Sequence, residues 1–69
     1  MHVKVSDPEH LPDLRAFLRE CGCAVVTVRR DDAHVIPLAA PNAQAARQEV
    51  GVYLAAWRIK SGAAAEIVD

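Results

Sequence analysis

The stretch Ser6–Gly22, SDPEHLPDLRAFLRECG, constrains this chain more than any other. Asp7 ahead of Pro8 reads as an N-cap with proline at the first helical position. Ser6 and Glu9 offer an overlapping capping box, one residue out of phase. Glu9 and Asp13 sit near the positive pole of the helix dipole. Pro12 falls close to the first turn, where a missing N–H costs little. Leu11, Leu14, Phe17, Leu18 and Cys21 recur at three- and four-residue spacing and give one apolar stripe. Gly22 fits the left-handed position just past the helix end. A helix with one apolar stripe must lie against a second layer.

The flanking segments supply that layer. In HVKVS, Val3 and Val5 alternate with His2 and Lys4, the pattern of a half-buried strand. CAVVTVRRDDAHVIP reads as strand, polar turn, strand: Val25, Val26, Thr27 and Val28 favour extended backbone. RRDD breaks the run and Pro37 closes it. A second helix is bounded by Asn42 as N-cap and Gly62 past its end. Its main stripe is Ala46, Val50, Tyr53, Leu54 and Trp57, and Val52, Ala56 and Ile59 form a second apolar strip. Gly51, inside this helix, costs about 1 kcal/mol relative to alanine. The closing AAAEIVD is either a short strand through Glu66, Ile67 and Val68 or a frayed tail.

The order strand, helix, strand, strand, helix, with or without a closing strand, predicts an α+β fold. It resembles the split βαβ arrangement of ferredoxin-like domains, β-α-β-β-α(-β), with residues 1–69 forming one small domain. The right-handed crossover rule makes the first two strands parallel. The third then inserts between them, antiparallel to both. Both helices cover one face of the antiparallel sheet, and the other is left open. Other groups share this order but differ in the residues that carry their chemistry. RNA-recognition domains stack bases on strand aromatics, whereas Phe17, Tyr53 and Trp57 all fall in helices. Heavy-metal-binding domains carry a Met-x-Cys-x-x-Cys loop after the first strand, where this chain has VSDPEH.

The remaining candidate chemistry is sparse. Cys21 and Cys23 flank Gly22, but Cys21 lies at the negative end of its helix, where a thiolate is disfavoured. A C-x-C pair without a second pair does not make a structural zinc site. If His2 and His34 each begin a strand of an antiparallel pair, they lie about 13 Å apart, too far to share an ion. His10 takes a polar helix position. Asp31 and Asp32 are expected at an exposed turn tip, offsetting Arg29 and Arg30. With no Gly-rich phosphate loop either, the expectations are no catalytic residue, no metal, no cofactor and no enzyme.

Charge and hydropathy bound the partners. A net charge of −1 lacks the basic excess of a nucleic-acid binder, so nucleic acid is not expected as the main partner. No apolar run approaches the roughly 18 residues of a membrane span. The first ten residues contain no signal-peptide core, and the expected location is the cytoplasm. With 52% hydrophobic residues, apolar side chains outnumber what one sheet face and two helix stripes bury. That surplus predicts a surface for a partner, and a small non-enzymatic interaction or regulatory module that forms a homodimer or binds another protein. The expected interface residues are Val25, Thr27 and Ile36 on the sheet, and Val52, Ala56 and Ile59 on the second helix. The alternative is a small-molecule sensor of the ACT type, with its ligand between protomers.

Overall fold

The computed structural model describes residues Met1–Val68. It has an α+β architecture: a four-stranded antiparallel sheet with two helices. The strands are β1 (His2–Val5), β2 (Cys23–Arg29), β3 (Asp32–Pro37) and β4 (Ala65–Ile67). The helices are α1 (Leu11–Glu20) and α2 (Ala43–Ser61). The sheet order is β2-β3-β1-β4. β3 therefore lies between β1 and β2 and runs antiparallel to each. The open choice at the C-terminus resolves as a strand. β4 pairs antiparallel with β1, Val5 opposite Ala65 and Val3 opposite Ile67, and the Val68 N–H extends the ladder to the His2 carbonyl at 2.9 Å.

The local signals act where the sequence places them. The Asp7 side chain accepts from the Glu9 N–H at 3.0 Å. The turn it caps, Pro8–His10, is 3₁₀ and passes directly into α1. Asn42 caps α2 by accepting from the Ala45 N–H at 2.8 Å. Gly62 ends α2 with φ of 73°, in the left-handed region that a Cβ disfavours. Ser61 ties down that end: its hydroxyl donates to the Trp57 carbonyl at 2.7 Å and accepts from the Ala63 N–H at 3.1 Å.

One core cluster joins both helices to one sheet face. Val3 and Val5 of β1, Cys23 and Val25 of β2, and Ala33 and Val35 of β3 meet Leu11, Leu14 and Leu18 of α1 and Val50, Leu54 and Trp57 of α2. Trp57 is the largest fully buried side chain, and its indole N–H donates to Asp13 Oδ2 of α1 at 2.8 Å. That bond gives the polar atom of an otherwise buried ring a partner at the rim. His10 stands edge-on to the same ring, centroids 6.4 Å apart, and Lys60 of α2 reaches over Phe17 of α1 at 5.8 Å.

Candidate functional site

The sheet surface opposite the helices is the site, and strand register builds it. Residues opposite one another across a ladder share a face. In β3 the choice of face is forced: Ala33 and Val35 are buried, so Asp32, His34 and Ile36 lie on the open side. Val35 pairs with Val25 and Ala33 with Thr27. That pairing corrects the expected interface. Val25 is 6% exposed and belongs to the core. Thr27 shares its parity at the sheet rim, where its hydroxyl accepts from Arg15 Nη1 at 3.5 Å. The open face instead carries Val26, 61% exposed, and Val28, 49% exposed, with Ile36 at 45% as expected. Both parities of β2 are apolar, so its own alternation does not choose between them. The mixed polarity of β3 does, through the hairpin register.

The histidines are also placed differently from expectation. β1 ends opposite the start of β3, Lys4 facing Asp32, so His2 falls directly opposite His34. Their rings meet edge to face with centroids 5.2 Å apart. The expected separation required His34 to begin its strand, whereas β3 begins earlier, at Asp32, and its extra length brings His34 level with His2. His2 Nδ1 also lies 3.2 Å from Asp32 Oδ1. Asp31 and Asp32 are correspondingly not a free turn tip. Asp31 Oδ2 is 3.7 Å from Lys4 Nζ, and the Asp31 carbonyl accepts from the Val5 N–H at 2.8 Å. Both aspartates turn toward β1. Among the described residues, no group of three or more His, Cys, Asp or Glu side chains is placed to hold a metal ion.

Two cross-sheet rows result. One runs Arg29, Asp32, Lys4, Glu66 across β2, β3, β1 and β4. The next runs Val26, His34, His2 and Val68, the last joined to His2 through its backbone N–H. A bulge between Thr27 and Arg29 adds Val28 beside the charged row. Ile36, opposite Ala24, extends the apolar part past the histidines. Sequence reasoning missed this pattern because it resides in register. The RRDD turn, with Arg29 opposite Asp32, does not set it alone: the bulge between Thr27 and Arg29 shifts the pairing by one residue and puts Val25, not Val26, opposite Val35.

The other expected interface residues lie on α2. Val52, Ala56 and Ile59 are exposed on its outer side, Ile59 more than Val52. The cysteines sit at the joint between α1 and β2. Cys23 is buried and Cys21 half-buried, and both are free thiols. Burial pushes the Cys23 thiol above its ordinary range, with Cys21 and Glu49 adding to the rise. Partial burial and the adjacent Glu49 carboxylate raise the Tyr53 phenol in the same way. A thiol held protonated is a weak nucleophile, which fits its packing in the core.

No family model matches the chain, and neither a curated protein nor a solved structure matches it. No described helix is long and apolar enough to cross a membrane.

Proposed function

We propose that this chain is a small non-enzymatic interaction module that self-associates through its open sheet face. The observation that carries the reading is the placement of Val26, Val28 and Ile36, all large, apolar and about half exposed, on one side of a β2–β3 hairpin. Three such side chains grouped on a domain this small form a patch of the kind that partners cover. Pairing along a sheet edge is less favoured. β4 is only three residues long, and the β2 edge is interrupted by the bulge before Arg29 and Arg30. Short strands, bulges and charged ends all discourage edge addition. The strand order, with β3 between β1 and β2 and β4 outside β1, supports a ferredoxin-like reading of the fold. An open sheet face is the surface that such an arrangement leaves available.

The face is modest. Four strands at about 4.8 Å spacing and about six residues of about 3.3 Å give roughly 400 Å² in projection. That is near the low end for specific association, so the expected dimer is a weak one in the micromolar range. Sedimentation velocity over a wide concentration range tests the reading. The expected result is a concentration-dependent shift toward twice the monomer mass, abolished by Val26→Lys with the fold intact by circular dichroism. A wild-type chain that stays monomeric to millimolar concentration refutes it.

A further inference from the structure

We infer that the partner on the open face is a second copy of this chain, related by a two-fold axis parallel to the strands and passing between β3 and β1. This deepens the self-association reading and rests on it. The charged row reads Arg29, Asp32, Lys4, Glu66 across the sheet: plus, minus, plus, minus. Reversed, the row is its own electrostatic complement. A two-fold along the strands lays one copy over the other with the strand order reversed and the row level kept. Arg29 then faces the Glu66 of the second copy, and Asp32 faces its Lys4.

The neighbouring row obeys the same operation. It reads Val26, His34, His2, Val68, apolar at both ends with imidazoles at the centre. Under the same axis Val26 covers Val68 and His34 covers His2. One operation therefore matches charge to opposite charge in one row and like polarity to like polarity in the next, and it leaves Ile36, whose level lies beyond the start of β1, at the margin of the interface. A two-fold perpendicular to the strands at the charged row does the reverse. It stacks Arg29 on Arg29 and Asp32 on Asp32, and like charges in register oppose association. Aligned packing of two twisted sheets is also an ordinary geometry, with strand directions within about 30°. An isologous interface of this kind requires a self-complementary patch, and the two rows supply one.

The test exchanges charges between copies. Arg29 and Glu66 are both exposed, so Arg29→Glu and Glu66→Arg leave the core untouched, and circular dichroism checks each fold. Each variant alone sets like charges against each other twice per dimer and should weaken self-association about tenfold or more. Mixed in equal amounts, the two variants form a heterodimer with both contacts restored. The glutamate introduced in one copy faces the arginine introduced in the other, and the unchanged Glu66 of the first faces the unchanged Arg29 of the second. Native mass spectrometry should find that heterodimer dominant, and sedimentation should return its affinity to near the wild-type value. The double variant, both changes in one chain, should self-associate nearly as well as wild type. A wild-type dimer indifferent to these exchanges, or a mixture without preferred heterodimer, overturns the two-fold arrangement and leaves self-association standing. A wild-type monomer at millimolar concentration overturns both.

Discussion

Replacing Asp13 with alanine should destabilise the domain through a residue that lies outside the core. Asp13 is exposed in the first turn of α1, yet its Oδ2 is the acceptor for the indole N–H of Trp57, 2.8 Å away. Trp57 itself is 1% exposed. Hydrogen bonds to charged groups contribute about 1.5–3 kcal/mol, and loss of the partner leaves a largely desolvated donor. The charge near the helix N-terminus adds about 0.3–1 kcal/mol. Two effects oppose these: water reaches the exposed carboxylate and weakens the bond, and alanine is the better helix former by about 0.5 kcal/mol. The net expectation is a loss of about 1.5 kcal/mol. A chain of 69 residues has a total stability of roughly 3–10 kcal/mol, so the loss is a sizeable fraction of it. The melting temperature should fall by roughly 6–12 °C. Urea unfolding followed by circular dichroism gives the number, and the fluorescence of the sole tryptophan gives a second probe in chains that retain it. A double-mutant cycle with Trp57→Phe separates the bond from the dipole, because phenylalanine keeps a ring and removes the N–H. Asp13→Ala should cost clearly less in the Trp57→Phe background. An equal cost in both backgrounds, or a cost below about 0.5 kcal/mol in the wild type, refutes the argument.

Gly51→Ala should stabilise by about 0.5–1 kcal/mol, because this glycine is inside α2 and an added Cβ meets nothing within 4 Å. Gly62→Ala also meets no neighbour, but its φ of 73° is left-handed, so it should destabilise by about 1 kcal/mol; paired thermal melts with shifts of the same sign would contradict this. Iodoacetamide labelling read by peptide mass mapping should modify Cys21 well before Cys23, since Cys23 is buried and its thiol is held above the ordinary range. Because the folded chain favours the protonated Cys23 thiol, its contribution to stability is complete below the unfolded thiol pKa of about 8.5 and declines as pH rises through the higher folded value. Replacing Cys23 with alanine should flatten that alkaline decline in urea midpoints measured from neutral pH upward.

The candidate site was legible in part. Ile36 could be assigned to the open face because its neighbour Val35 belongs to an alternating strand with polar residues at Asp32 and His34. Val25 and Thr27 could not be assigned from β2 alone, since Val26 and Val28 are equally apolar. Only the pairing of Val25 with Val35 identifies the core set. The pairing of His2 with His34 depends on how far β1 slides along β3, and no local signal encodes that slide. Packing of Val3 and Val5 beneath the helices supplies it.

Local chemistry in the sequence determined the helix caps at Asp7 and Asn42, the stop at Gly62 and the hairpin around RRDD. These depend on side chains and backbone within a few residues. Tertiary structure decided the faces and the register. Alternation marks two sides of a strand without saying which one is covered. It also decided β4, whose three residues become a strand only because β1 offers a free edge beside the core. The two rows on the open face exist for the same reason: each draws its members from four separate segments, and only the assembled sheet sets Arg29, Asp32, Lys4 and Glu66 side by side.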